Sequence, residues 1–135
     1  MSEIRYLSIA DVLALHQIMM EKFGQGPAPL RNEGLLEAAI MRPRTAAYYD
    51  EADIVRQATL LLVGISQAQA FLDGNKRIAF AACDVFLRIN GLVIIADPLE
   101  IALQVEAIAT RTDSLNEATA RVEMWLRSHV HPKTS

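Results

Sequence analysis

The chain has one cysteine, Cys83, in 135 residues. A lone thiol excludes an intramolecular disulfide framework and removes any pointer to an oxidising compartment. Basic residues are not in excess: 13 Lys and Arg stand against 16 Asp and Glu, a net charge of −3, and the isoelectric point is about 5.6. Non-specific nucleic-acid binding, which rests on neutralising phosphates with a cationic surface, therefore has no support in the bulk charge, and no direct nucleic-acid partner is expected. Long hydrophobic runs are missing as well. The longest, Leu60-Leu61-Leu62-Val63-Gly64-Ile65, is far short of the roughly 20 residues that cross a bilayer. The opening Met1-Ser2-Glu3-Ile4-Arg5 places no apolar run after a basic stretch, so no signal peptide is expected and the cytoplasm is the expected compartment. Repeats, low-complexity tracts and linkers are absent.

What is present is apolar. Hydrophobic residues make up 52% of the chain and charged residues 21%, a balance that excludes disorder. The length suits one domain, residues 1–135, with a core of its own. Mean hydropathy is +0.19, high for a lone soluble domain. Six helices are predicted. Ser8 can cap the first, which runs to about Phe23 with Val12, Leu15, Ile18, Met19 and Phe23 on one face. A Gly/Pro loop follows over Gly24-Gln25-Gly26-Pro27-Ala28-Pro29. Asn32 can cap the second helix, through Leu35, Leu36, Ala39 and Ile40, and Pro43 is expected to end it or start a turn. Asp53 can cap a third helix reaching about Ala70, apolar nearly all round from Ala58 to Ile65. The fourth, Asn75 to Ile89, is equally apolar, and Asn90-Gly91 stops it. Leu92-Val93-Ile94-Ile95 reads as a lone strand or extended segment. Asp97-Pro98 opens the fifth helix, with Leu99, Ile101, Leu103, Val105 and Ile108. Ser114-Leu115-Asn116-Glu117 has a capping-box pattern and opens the sixth, with Leu115, Ala118, Val122, Trp125 and Leu126 on one face. The fold class is all-α: a compact helical bundle of about six helices with a short β segment near 92–95.

Between the two most apolar helices lies Phe71-Leu72-Asp73-Gly74-Asn75-Lys76-Arg77. A plain turn needs only Asp-Gly or Gly-Asn. This one adds two bases at a helix start, where free N–H groups and the helix dipole favour an anion. Gly74 allows positive φ and close approach of a ligand to the backbone. Lys76 and Arg77 supply full charges, and Arg can grip phosphate with two bonds. Asp73 would repel phosphate unless a cation lies between them, which makes it a candidate Mg²⁺ ligand. Phe71 reads as the anchor that plugs the loop into the core. A solvated, charged turn is the competing reading.

Gln69-Ala70-Phe71-Leu72-Asp73-Gly74-Asn75-Lys76-Arg77 resembles the signature loop of the Fic/Doc family, in the form His-x-Phe-x-Asp/Asn-Ala/Gly-Asn-Lys-Arg found in the Doc ("death on curing") branch. Leu15-His16, Leu30-Arg31-Asn32-Glu33-Gly34-Leu35-Leu36, Ala47-Tyr48-Tyr49 with Ala52-Asp53, and Phe86-Leu87-Arg88-Ile89-Asn90-Gly91 resemble the same branch, so the likeness spans nearly the whole chain. It implies a compact helical bundle, the toxin of a toxin–antitoxin module, and a protein kinase that moves a phosphoryl group from ATP, with Mg²⁺, to a threonine of elongation factor Tu. It implies an antitoxin supplied in trans, laying an amphipathic helical tail in a groove near the site. It assigns catalysis to positions 69, 73, 75, 76 and 77, phosphate binding to Gly74, Asn75, Lys76 and Arg77, the metal to Asp73, and a target-positioning flap to the region of Arg31, Asn32 and Glu33. The second reading of that last region is an ordinary helix start.

Position 69 departs from the family. Its histidine is the general base, and a glutamine amide cannot take a proton from a hydroxyl at neutral pH. Loss of such a base costs about 100- to 10,000-fold, so phosphate binding should survive and turnover should be weak. His16, His129 and His131 are expected to be structural or solvated rather than substitutes. Fic AMP transferases usually carry glycine where this chain has Lys76 and a second arginine where it has Phe80. AMP transfer is thus the runner-up, beside a catalytically dead module that still binds its antitoxin. Thr119-Ala120-Arg121-Val122-Glu123 followed by Met124 only partly matches the family's inhibitory helix, Ser/Thr-x-x-x-Glu-Gly/Asn, and reads as an ordinary amphipathic helix.

Overall fold

The structure is a computed structural model that describes all residues but 1, 2, 24, 25, 27 and 135. Three positions of the expected Gly/Pro loop therefore lie outside the described residues. In chain order the elements are α1 (Ile9–Phe23), α2 (Glu33–Asp50), α3 (Ile54–Ala68), α4 (Asn75–Ile89), β1 (Leu92–Ile94), α5 (Pro98–Ala109), α6 (Leu115–His129) and β2 (Val130–Pro132). The six helices and their order agree with the all-α expectation.

Local chemistry sets most of the boundaries. The side chains of Asn32, Asp53, Asp97 and Ser114 accept from the N–H of Leu35, Arg56, Leu99 and Glu117 at the starts of α2, α3, α5 and α6, each satisfying a donor that the helix itself cannot. At α1, Ser8 and Asp11 exchange side-chain acceptors for each other's N–H, at 2.8 and 3.1 Å, the reciprocal form of a capping box.

The core forms around α3 and α4. Every residue of α3 from Gln57 to Ser66 is buried, as the all-round apolar stretch demanded, and α2, α4, α5 and α6 all pack against it. The buried Gln57 is fully matched: its Oε1 accepts from Tyr6 Oη–H at 2.7 Å and its Nε2 donates to Ala52 O at 2.9 Å. That pairing ties the segment before α1 to the turn before α3.

Four expectations need correction. Pro43 lies inside α2, which continues to Asp50. Proline there forfeits a bond to the i−4 carbonyl, at a cost of about 3 kcal/mol, but Leu36, Ala39 and Ile40 before it and Ala46 after it are all buried, and packing on both sides holds the helix together. The face of α1 is turned from the one expected. Val12, His16 and Met20 are buried, whereas Ile18 and Phe23 are 57% and 50% exposed, because the helix rests on an i, i+4, i+8 line and His16 finds partners inside. The third helix stops at Ala68, where Gln69 turns left-handed. Leu92–Ile94 is not alone: it pairs antiparallel with Val130–Pro132, Val93 opposite His131.

Candidate phosphate-binding site

The loop from α3 to α4 is built before any ligand arrives. Gln69 takes φ 49° and closes α3. Ala70 and Phe71 then turn inward and are buried, while Leu72 and Asp73 face solvent. Phe71 is buried in the core, and its ring stacks on that of His16 with centroids 3.7 Å apart and 15° between planes. His16 Nε2–H donates to the Asp73 carbonyl at 2.9 Å; a carbonyl only accepts, so the proton resides on Nε2. His16 is thus structural, a buried post behind the loop.

Asn75 locks the loop from the other side. Its Oδ1 accepts from Phe71 N–H at 3.1 Å and its Nδ2 donates to Phe71 O at 2.9 Å. A longer contact of 3.4 Å runs from Nδ2 to Gln69 Oε1, whose Nε2 donates to Ser66 O at 2.8 Å. The amides of Gln69 and Asn75 are therefore bonded within the loop, and what Asn75 offers an anion is its backbone N–H.

Gly74 is required twice over. Its φ is +80°, and a Cβ would lie 2.7 Å from Met20 Sδ and 3.2 Å from His16 Nε2. Its own N–H is taken by Asp73 Oδ1 at 2.8 Å, so it is not among the free donors. The next three are free: the first bond of α4 runs from Ile78 N–H to Gly74 O, and no side chain caps the helix among the described residues. The N–H groups of Asn75, Lys76 and Arg77 therefore face outward from the positive end of the α4 dipole.

These donors border a cavity of about 640 Å³ lined by Phe23, Gln69, Leu72, Asp73, Gly74, Asn75, Lys76 and Arg77. Every residue that the sequence assigned to catalysis or phosphate lies on it. Arg77 points to this space, its guanidinium 5.4 Å from the centre of the Phe23 ring, a distance that allows cation–π attraction. Lys76 reaches the other way, to Glu106 of α5, with Nζ 2.6 Å from Oε2. Phe23 and Glu106 are site residues that sequence reasoning missed. Phe23 was placed on a buried face, and no local signal could connect Glu106 to a loop thirty residues earlier. Among the described residues no group of three or more His, Cys, Asp or Glu side chains comes together, so Asp73 stands as a single carboxylate.

The expected flap lies beside the loop. Leu72 N–H donates to Pro29 O at 3.0 Å, Arg31 and Asn32 N–H both donate to Ala70 O at 2.6 and 3.1 Å, and Leu30 bridges Phe71 in antiparallel fashion. Arg31 Nη2 also donates to Gln69 O at 3.2 Å. The Asn32 side chain caps α2, and Glu33 begins that helix exposed to solvent.

A second, apolar groove adjoins the site. Met19, Phe80, Pro98, Ile101, Ala102 and Val105 line a space of about 280 Å³, and Lys76, Arg77 and Glu106 close one side of it. Phe80 belongs to this groove and is not on the phosphate cavity. Away from both, Glu123 is held by Arg56 and Arg127, which in turn binds Asp53 through both guanidinium arms at 2.9 Å. These charges staple α6 to the start of α3, and Glu123, the glutamate of the partial inhibitory motif at Thr119–Glu123, is one of them. No described helix is long and apolar enough to cross a membrane.

Comparison with known proteins agrees with this architecture. The chain is 40% identical over 94 residues to Toxin Doc of Mycolicibacterium smegmatis, covering 68% of this chain and 69% of that protein. It is 30% identical over 96 residues to Protein kinase doc of Escherichia phage P1, covering 70% and 75%. The model of the Fic/DOC family matches residues 6–87, a span that holds α1, the flap and the whole loop, and the chain accordingly belongs to the Fic/DOC family.

Proposed function

We propose that this chain is the toxin of a toxin–antitoxin module and that its loop receives the phosphates of ATP for transfer of a phosphoryl group to a Ser/Thr hydroxyl of a translation factor, elongation factor Tu, in the cytoplasm. One observation carries the reading: three uncapped N–H groups, the Arg77 guanidinium and the α4 dipole share a cavity with position 69. The donor set fits a polyphosphate. Backbone N–H groups and a planar guanidinium bind phosphate oxygens directly, and Gly74 lets the loop that presents them lie against Met20 and His16, where a Cβ would collide. ATP supplies the transferred group, and Mg²⁺ would be held between Asp73 and phosphate oxygens, since one carboxylate plus phosphate suffices for this ion.

The protein's own part in such a transfer is positioning and charge neutralisation. Arg77 and the α4 amides hold the phosphates, Lys76 adds a mobile charge, and the segment 29–32 offers an ordered edge along which a target peptide can lie. The missing part is a proton acceptor. Gln69 is hydrogen-bonded to Ser66 O and has no basic nitrogen, so turnover is slow. AMP transfer is the weaker alternative, because Lys76 and the displacement of Phe80 into the apolar groove leave no second arginine clamp. A module that acts only by binding its antitoxin is favoured by Gln69 together with that groove. The groove suits the apolar face of an amphipathic helix, the form in which an antitoxin would act in trans.

The deciding experiment compares the chain with Gln69→His, using ATP labelled on either the γ- or the α-phosphate and elongation factor Tu or a cell extract. The histidine variant should transfer γ-label about 100- to 10,000-fold faster and slow growth when expressed. Transfer of α-label would establish AMP transfer instead. Equal rates for the two chains would show that position 69 holds no general base. A variant that labels nothing would leave the binding module as the better account.

A further inference from the structure

We propose that Glu106 is a built-in competitor for phosphate at Lys76, setting how tightly the site holds a polyphosphate. The inference rests on the reading of the loop as a phosphate site and goes beyond it. The two cations of the loop are not equivalent. Arg77 has no carboxylate within ion-pair distance among the described residues, and its guanidinium sits over Phe23. Lys76, one residue earlier, is neutralised by Glu106 at 2.6 Å, and no other cation among the described residues pairs with Glu106. That contact joins the first turn of α4 to the outer face of α5, so it is no by-product of a local helix repeat.

The pair is poised to exchange. The side chains of Lys76 and Glu106 are 46% and 50% exposed. An ion pair in such a setting contributes little to stability, so a phosphate can draw Lys76 away at small cost. Lysine suits this role, with three donors on a flexible stem. Until it turns, Glu106 acts against the ligand in two ways. It occupies the ammonium, and its carboxylate, on the adjoining groove that Lys76 and Arg77 share with the cavity, adds negative charge near a site that must accept more. Both effects grow with the charge of the ligand and fade with ionic strength.

The test is calorimetric titration of ATP into the native chain, Glu106→Gln, Lys76→Met and the double variant, at low and at high salt. Glu106→Gln should bind ATP about two- to tenfold tighter at low salt, the scale of one exposed ion pair plus one removed like charge. The gain should shrink at high salt and vanish in the Lys76→Met background. A merely structural pair would lower the unfolding temperature and leave the affinity and its salt dependence unchanged; that result overturns the proposal. Weaker binding by Glu106→Gln also overturns it, by showing that the carboxylate aims Lys76 into the site. If none of the four proteins binds ATP, the phosphate-site reading itself fails and the competitor role with it, an outcome distinct from native binding that is indifferent to residue 106.

Discussion

Replacing Asn75 with alanine separates two roles that the sequence cannot tell apart, phosphate ligand and loop bolt. In the structure the Asn75 amide makes two short bonds to one residue, with Phe71 N–H and Phe71 O at 3.1 and 2.9 Å. A typical hydrogen bond contributes about 0.5–1.5 kcal/mol net, so the two together give about 1–3 kcal/mol. Phe71 is 2% exposed, and water cannot readily replace the lost partners, which places the expectation in the upper half of that range. Alanine is well tolerated at a helix start and adds no compensating strain. With a urea m-value of about 1–3 kcal/mol/M, the midpoint of unfolding should fall by roughly 1 M with m unchanged. Asn75→Asp should do no better, because it keeps the acceptor for Phe71 N–H but sets a carboxylate against Phe71 O. Both variants should also bind ATP more weakly, as a consequence of a loosened loop. The reasoning is refuted if Asn75→Ala unfolds within about 0.5 kcal/mol of the native chain, the ordinary range for an uninvolved surface position, while ATP binding is lost. The side chain would then be a direct ligand.

Gly74→Ala should cost about 2–4 kcal/mol, combining a left-handed backbone penalty of about 1–2 kcal/mol with the collision of its Cβ against Met20 and His16; thermal unfolding measures the loss, and a change of the His16 ring resonances would locate it. Acid should weaken the α3–α6 staple. The hydrogen bond from Arg127 holds Asp53 below its usual 3.8, and although burial pulls Glu123 upward, its bonds from Arg127 and Arg56 outweigh this and leave it below 4.5. A carboxylate depressed in the folded state stabilises it above the unfolded value, and that contribution drains away as pH falls through the folded value. Stability should therefore decline from about pH 4.5 downward, and Arg127→Met should flatten that decline; an unchanged acid limb in the variant would show that the staple plays no part.

What could be read from the sequence was what neighbours in the chain determine. Gly74 before the apolar run from Ile78 and Asn90-Gly91 after it marked α4 at both ends, and Asn32, Asp53, Asp97 and Ser114 announced four helix starts because each cap acts within three residues of itself. The loop was legible for the same reason: its glycine, its amide and its two bases are consecutive. The unread parts depend on partners distant in the chain. Nothing near His16 says that its ring lies on Phe71, so the α1 face was set by counting apolar residues and came out rotated. Pro43 is tolerated because of α3, β1 finds its partner only after α6, and Glu106 meets Lys76 through the packing of α5 on α4. Asn75 shows a subtler gap. Its presence in the motif was plain, but whether its amide faces outward to a ligand or inward to Phe71 is a matter of rotamer and backbone, on which residue identity is silent.

Lys76 and Arg77 belong to two surfaces at once, the phosphate cavity and the apolar groove. For inheritance this makes them pleiotropic. On the proposed function, a substitution at either position would change, in one step, how the chain handles nucleotide and how an antitoxin helix in the groove would restrain it. On that reading, variation that tunes the one function is tested by selection on the other, and a lineage would drift at these two codons only when its antitoxin gene drifted with it. Libraries randomised at positions 76 and 77 and selected for nucleotide use alone should return clones with scattered partner affinity, whereas libraries at Phe71 or Gly74 should return mainly the starting residues.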